Sequence, residues 1–253
     1  LVMSVHAAGA EMLEFAQIGS IQYTKGDTGA DKYLYFLKLS LQKKNPKFAV
    51  FLGSNISSPE EENAIAFMQR LYQLKIPYYL VFGSTDTSSI NGIEKYTYHD
   101  IISAFNKRQK YKPNYYYFKP NKHFICAVLD DTSNFMPSKH GEIPDEQLIW
   151  LDKLLKKHAD KTALIFEHTP LEAPENYRYS ILNDDKYREI LNKHQNVILI
   201  SSGKYGSDFQ MKDNSGITHI SAPAFSSEHA YQLIRIDYEK NKPKSIAVEK
   251  IKV

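Results

Sequence analysis

The amino-acid sequence predicts a single α/β domain built around a parallel sheet, and three observations predict it. Short apolar runs at 48–52, 78–82 and 162–166 are separated by segments whose apolar residues recur at three- and four-residue spacing. Nothing in 253 residues reads as a linker, and 42% hydrophobic content suffices for one sizeable core. In the last third the alternation gives way to short strands separated by polar turns.

Taken in order, residues 15–21 have enough apolar and β-branched character for a first strand, followed by a polar stretch at 22–29 with two glycines. Leu34, Leu37 and Leu41 recur at helical spacing over 31–44, and Asn45-Pro46 stops the pattern. Residues 48–52 (FAVFL) form a continuous apolar run, short enough for a strand buried on both faces. Ser58 is a candidate N-cap with Pro59 at the first helical position. Glu60, Glu61 and Glu62 lie in the first turn, where the helix dipole favours negative charge. That helix runs to about residue 75, and 78–82 (YYLVF) is the next strand. The order strand, helix, strand, helix, strand is the pattern of a parallel sheet with right-handed crossovers.

Beyond it the sequence predicts a helix over 98–105, strands at 115–118 and 124–129, and a helix over 145–157 with Leu148, Leu151, Leu154 and Leu155 on one face and Trp150 buried on that inner side with them. A strand at 162–166 leads into His168, Thr169 and Pro170, before a helix over 185–194 and a strand at 197–200. Residues 209–212, 217–221, 232–238 and 245–253 read as an antiparallel meander.

Composition excludes several functions. Thirty-two basic and 29 acidic residues leave a net charge of +3, too little for a nucleic-acid footprint. No window of 18 apolar residues crosses a bilayer. The one cysteine, Cys126, sits in the apolar run FICAVLD and reads as an inert buried thiol. Neither GxGxxG nor GxxxxGK occurs, so there is no phosphate-cradling glycine loop. The basic run 107–110 reads as a solvated surface. Residues 1–10 (LVMSVHAAGA) read as the remnant of a signal peptide, with Ala8-Gly9-Ala10 fitting a small-x-small cleavage site. Export to the periplasm or the exterior is therefore expected, with 11–253 as the domain.

Residues 141–151 (GEIPDEQLIWL) follow a strand ending in Leu129-Asp130-Asp131-Thr132. Further on come His168-Thr169-Pro170 and Ser221-Ala222-Pro223-Ala224-Phe225. In this order they resemble the calcineurin-like metallophosphoesterase superfamily over about residues 13–250. The resemblance implies a four-layer αββα sandwich of two mixed β-sheets, with a two-metal site at the carboxyl ends of the strands. Two close divalent cations repel, so such a site needs bridging and flanking anionic or imidazole ligands.

At the ligand positions the chain departs from that pattern. The family's Asp-x-His is Ser20-Ile21-Gln22 here, and its Gly-Asp is Gly53-Ser54. Its Gly-Asn-His-Asp is Gly83-Ser84-Thr85-Asp86, and its Gly-His-x-His is Gly203-Lys204-Tyr205-Gly206. His168 is the one retained ligand type, with Asp86 near it, and one imidazole cannot hold a hard divalent pair. The expectation is therefore a catalytically inactive member acting as a binding or structural module, with no catalytic residue and no cofactor. Ser20, Gln22, Ser54, Ser84, Thr85, His168 and Lys204 would line a neutral-to-cationic pocket holding phosphate or a carboxylate weakly. The alternative is a phosphoesterase with a single-metal or non-standard site recruited from Asp27, Asp86, Asp130, Asp131, His140 or Asp208. Tyr111, Tyr115, Tyr116 and Tyr117 hint at a protein partner, since tyrosine suits interfaces.

Overall fold

Strands that are apolar on both faces need cover on both sides, and this chain supplies it by stacking two sheets and adding helices outside. The computed structural model describes residues 11–109, 114–133, 138–175, 177–239 and 242–253. Residues 1–10, where the export signal is expected, lie outside the described residues. The first sheet holds β1 (Glu11–Ile18), β2 (Ala49–Phe51), β3 (Tyr78–Leu80), β10 (Ala230–Glu239) and β11 (Lys242–Lys252), in the order β11-β10-β1-β2-β3. The second holds β4 (Tyr116–Phe118), β5 (Phe124–Val128), β6 (Thr162–Phe166), β7 (Val197–Gly206), β8 (Phe209–Lys212) and β9 (Thr218–Pro223), in the order β4-β5-β6-β7-β9-β8. Both sheets are mixed: β1 pairs parallel with β2 and antiparallel with β10, and β7 and β8 flank β9 in parallel and antiparallel fashion respectively.

Helices α1 (Thr28–Lys44), α2 (Glu61–Tyr72) and α3 (Lys95–Phe105) cover the first sheet. Leu34, Leu37, Leu41, Phe67, Leu71 and Ile102 pack there with Ile18, Phe51 and Leu80. Helices α4 (Asp145–Lys157) and α5 (Asp184–Lys193) cover the second sheet through Leu148, Leu151, Leu155, Tyr187 and Leu191. Between the sheets lies an aromatic layer. Phe15 stacks on Phe48 with ring centroids 5.0 Å apart and meets Phe166 edge-on at 5.5 Å, and Phe48 meets Phe118 at 5.1 Å. Edge-to-face pairs align ring quadrupoles favourably and add to the area buried.

Three details differ from the sequence reading. Helix α2 begins after Glu60, with no side-chain cap. Ser58 instead accepts from Asn63 Nδ2 at 3.0 Å, and the Pro59 carbonyl accepts from Ile93 N at 2.7 Å, so a tertiary contact takes over the predicted start. The C-terminal strands are not one meander. β8 and β9 close the second sheet, whereas β10 crosses to the first and pairs with β1 from Glu11↔Tyr238 to Gln17↔Gln232. Trp150 is half-buried rather than inward: it lies about 100° off Leu151 around the helix and meets Tyr115 at 5.0 Å.

These placements separate two truncations. Phe166→Ala, in the fully buried inter-sheet layer, is expected to cost about 3–5 kcal/mol, and Trp150→Ala clearly less, because its site stays open to solvent. Urea unfolding of both variants checks the order, and a larger loss at Trp150 would contradict this packing.

Candidate functional site

At the carboxyl ends of β1 and β2 the chain leaves the first sheet through turns that need left-handed backbone. Ser20, Gln22 and Ser54 have φ of 39°, 51° and 50°, each a sterically costly conformation for a residue with a Cβ. Pairing between the loops stabilises these turns. Ser20 N donates to Gly53 O, Gln22 N to Ser54 O and Tyr23 N to Asn55 O, at 3.2, 2.8 and 3.0 Å, so the β1 and β2 loops stay zipped beyond the strands.

The loops also touch backbone to backbone. At Gly53 (φ 86°) an added Cβ would lie 2.6 Å from His168 Nδ1, and one at Gly83 would overlap Ser54 N. Only glycine permits that approach. Asp86 fixes the contact: its buried carboxylate accepts from Asn55 N (2.6 Å), Ile56 N (3.0 Å), Asn55 Nδ2 (2.9 Å) and Gly83 N (2.7 Å). Burial pushes its carboxyl up to about 7 against the pull of those donors.

His168 lies at the centre, fully buried. Its Nδ1 is 2.8 Å from the Leu52 carbonyl, which can only accept, so Nδ1 carries the proton. Nε2 is then the acceptor for the Ser54 and Ser84 hydroxyls, each 3.4 Å away. Burial and the Lys204 charge push the imidazole down to about 3, so it is neutral at physiological pH.

Beside it, Lys204 donates its amide to His168 O at 2.9 Å and its ammonium to Ser138 O at 2.7 Å. Burial lowers the lysine's pKa, and Asp131 opposes that. Asp131 accepts from His168 N (3.1 Å) and Thr169 N (2.6 Å), and burial raises its carboxyl to about 7.

The structure thus brings Ser54, Ser84, His168 and the Lys204 backbone together. Ser20 turns its hydroxyl onto Gly203 O at 3.2 Å, and Thr85 donates to Ile56 O at 2.6 Å. Gln22 is exposed and lines a cleft with Tyr33, Phe225 and His229. The carboxylates and histidine considered as a rescue set do not converge. Asp27 caps α1, Asp130 pairs with Lys95 at 2.7 Å, Asp208 pairs with Lys250 at 2.6 Å, and His140 packs on Tyr179. Strand alternation disperses the tyrosines: Tyr116 reaches in to Leu80 O, Tyr115 covers Trp150, and Tyr117 is 44% exposed. Tyr111 lies outside the described residues. No sequence signal pointed to the Leu52 and Ser138 carbonyls, because main-chain acceptors carry no residue identity.

A two-metal centre does not fit these donors. Both nitrogens of His168 are engaged, both oxygens of Asp86 are saturated by amides, and serine hydroxyls stand where carboxylates would bridge.

No family model matches the chain. It is 23% identical over 198 residues to the "Probable glycerophosphodiester phosphodiesterase GpdQ" of Arcobacter nitrofigilis, across 73% of this chain and 66% of that protein. It is 26% identical over 192 residues to the "Uncharacterized protein YvnB" of Bacillus subtilis, across 72% of this chain but only 14% of that one. Each match therefore spans part of the relative's length. Among solved structures, a dimetal phosphatase from Danio rerio superposes with a TM-score of 0.72 at 17% identity, covering 93% of this chain and 98% of that one. The calcineurin-like phosphoesterase YfkN from Bacillus subtilis gives 0.52 at 12% identity, covering 95% and 91%. This chain has the fold of the calcineurin-like metallophosphoesterase superfamily. GAP50, described as the anchor in the inner membrane complex of Plasmodium, also shares it, with a TM-score of 0.64 at 14% identity over 96% of this chain and 89% of that one. Among the described residues of this phosphoesterase-fold chain, no helix is long and apolar enough to cross a membrane.

The buried neutral His168 has a measurable consequence. Unfolded, it protonates near 6.5; folded, only near 3, so between those values the unfolded chain binds the extra proton and stability falls as pH drops. Asp86 and Asp131, raised to about 7, act in the opposite sense between 3.8 and 7. Comparison with His168→Gln removes their share. The stability advantage of the parent protein over His168→Gln should shrink by about 1.4 kcal/mol per pH unit between roughly pH 6 and 4. Parallel stability curves from urea titration at each pH would overturn this assignment.

Proposed function

We propose that this chain uses the phosphoesterase fold as a binding module and does not carry out metal-assisted hydrolysis at the strand ends. The observation that carries this reading is the state of His168: neutral, bonded to Leu52 O, and approached by the Ser54 and Ser84 hydroxyls rather than by carboxylates. Hydrolysis of this kind needs a cation to generate hydroxide and to clamp the phosphoryl oxygens, and that requires ligands first. What the loops do offer is the Lys204 ammonium, with donors beyond the one given to Ser138 O, and whichever of the Ser54 and Ser84 hydroxyls does not donate to the single lone pair of His168 Nε2, groups that suit a phosphate or a partner's carboxylate. GAP50, described as the anchor in the inner membrane complex of Plasmodium, has this fold, and that description supports the reading.

The name of the Arcobacter relative favours the second reading, a phosphodiesterase with an unusual metal set. Two measurements separate the readings. Turnover of phosphomonoester and phosphodiester substrates with added Mn²⁺, Zn²⁺ or Fe²⁺ is expected to stay at the buffer rate. Inorganic phosphate, titrated by NMR, is expected to bind weakly and to lose about tenfold in affinity in Lys204→Ala, the worth of one charge-assisted hydrogen bond. Turnover that a chelator and His168→Ala both abolish would establish the hydrolase instead. Equal phosphate binding by the parent and Lys204→Ala would remove the anion pocket.

A further inference from the structure

Away from the strand-end loops, the described residues hold one more cluster with metal-ligand chemistry. Ligating atoms of Glu172, Asp213 and His219 lie within 4.8 Å of one another. They come from three segments: the loop after β6, the β8–β9 turn, and β9 itself. His219 is buried on β9, and strand alternation puts it on the same face as Ile217, which packs in the outer core beneath α5.

Both carboxylates are oriented by a second partner. Asp213 Oδ1 accepts from Ser215 N and Ile217 N, both at 2.9 Å, which aims Oδ2 at His219 Nε2, 2.9 Å away. Arg188 engages one oxygen of Glu172 and is itself held by Asp184 (3.1 Å) and the Leu171 carbonyl (3.2 Å). It therefore keeps a counter-charge and an anchor if Glu172 turns. Glu172 and Asp213 also line a cavity of about 270 Å³ that reaches Asn192 and Met211.

The geometry points to a binding site for one divalent cation of the zinc type, held by Glu172, Asp213 and His219, with its remaining coordination position facing that cavity. An imidazole with two carboxylates selects zinc and its first-row neighbours over calcium or magnesium, which take oxygen ligands alone. Ligand atoms around tetrahedral zinc lie about 3.4 Å apart, so the His219–Asp213 pair opens slightly and Glu172 closes in. Two carboxylates cancel the cation's charge, and Arg188 stays neutralised by Asp184.

The protonation states agree. Burial holds His219 in the neutral form despite the pull of Asp213. Asp213 is held below the ordinary carboxylate range because His219 and the turn amides outweigh its burial. A cation at this place takes the Nε2 lone pair, and the proton that Nε2 now gives to Asp213 moves to Nδ1, so the imidazole binds in its neutral form. The inference is independent of the binding-module reading, and it differs from the sequence's expectation of no cofactor.

The test is calorimetric titration of the metal-stripped full chain with Zn²⁺, with Co²⁺ visible absorption as a second readout. One Zn²⁺ per chain is expected, with affinity reduced about tenfold or more in His219→Gln and in Glu172→Gln, and unchanged in His168→Gln. A Co²⁺ d–d band should appear and be lost in Glu172→Gln. Glu172 is partly exposed, so that variant decides the matter if His219→Gln does not fold by circular dichroism. No saturable Zn²⁺ binding, equal binding in Glu172→Gln, or loss in His168→Gln instead would overturn the site.

Discussion

The Asp86 carboxylate joins the ends of β2 and β3 through four donors, and the shape of the strand-end loops depends on that junction. It draws the Gly83 backbone onto Ser54 more closely than a side chain would allow, and so sets Ser54 and Ser84 beside His168. An unpaired carboxylate at this depth would be costly, but one that accepts several amides is compensated within the fold. The loops are thus positioned chiefly by main-chain hydrogen bonds.

The fold was legible because its layers follow from local pattern. Continuous apolar runs mark strands covered on both faces, and the leucine stripes of α1 and α4 mark helices with one face in the core. Less legible was anything decided between distant segments. Nothing local tells β10 to leave the second sheet and pair with β1, a partner more than 200 positions away. Nothing local tells Ser58 that Asn63 and the Ile93 loop will claim the predicted helix start.

In the site, residue identities were readable by resemblance, and directions were not. The resemblance put Ser20, Gln22, Ser54, Ser84, Thr85, His168 and Lys204 on adjoining loops, yet Gln22 is exposed in a neighbouring cleft, and Ser20 and Thr85 spend their hydroxyls on carbonyls. Those outcomes turn on backbone angles and main-chain acceptors. Glu172, Asp213 and His219 escaped the sequence reading for a related reason. They form no spacing motif, and only the closing of the β8–β9 turn over α5 brings them together.

Charge balance separates the two regions. Asp86, Asp131 and Glu167 are buried carboxylates whose partners are already part of the protein: amides in each case, with the Tyr187 hydroxyl 3.1 Å from Glu167 and the Lys204 charge near Asp131. Burial raises all three, so each carries charge reluctantly, and a further carboxylate at position 54 or 84 would add a like charge next to the Asn55 or Gly83 amide that Asp86 accepts. Like charges brought that close push one another's pKa upward and cost stability unless a cation intervenes. Serine at those places removes the repulsion and supplies a donor to His168, so the strand ends are self-consistent as they stand. Around Asp213 the accounting differs. Its outward oxygen shares only a proton with His219, and Glu172 is met by one guanidinium that has two other acceptors, so both partners are displaceable. Saturated carboxylates are poor cation ligands and exchangeable ones are good, which is why the cation site we propose lies beside α5 rather than at the strand ends.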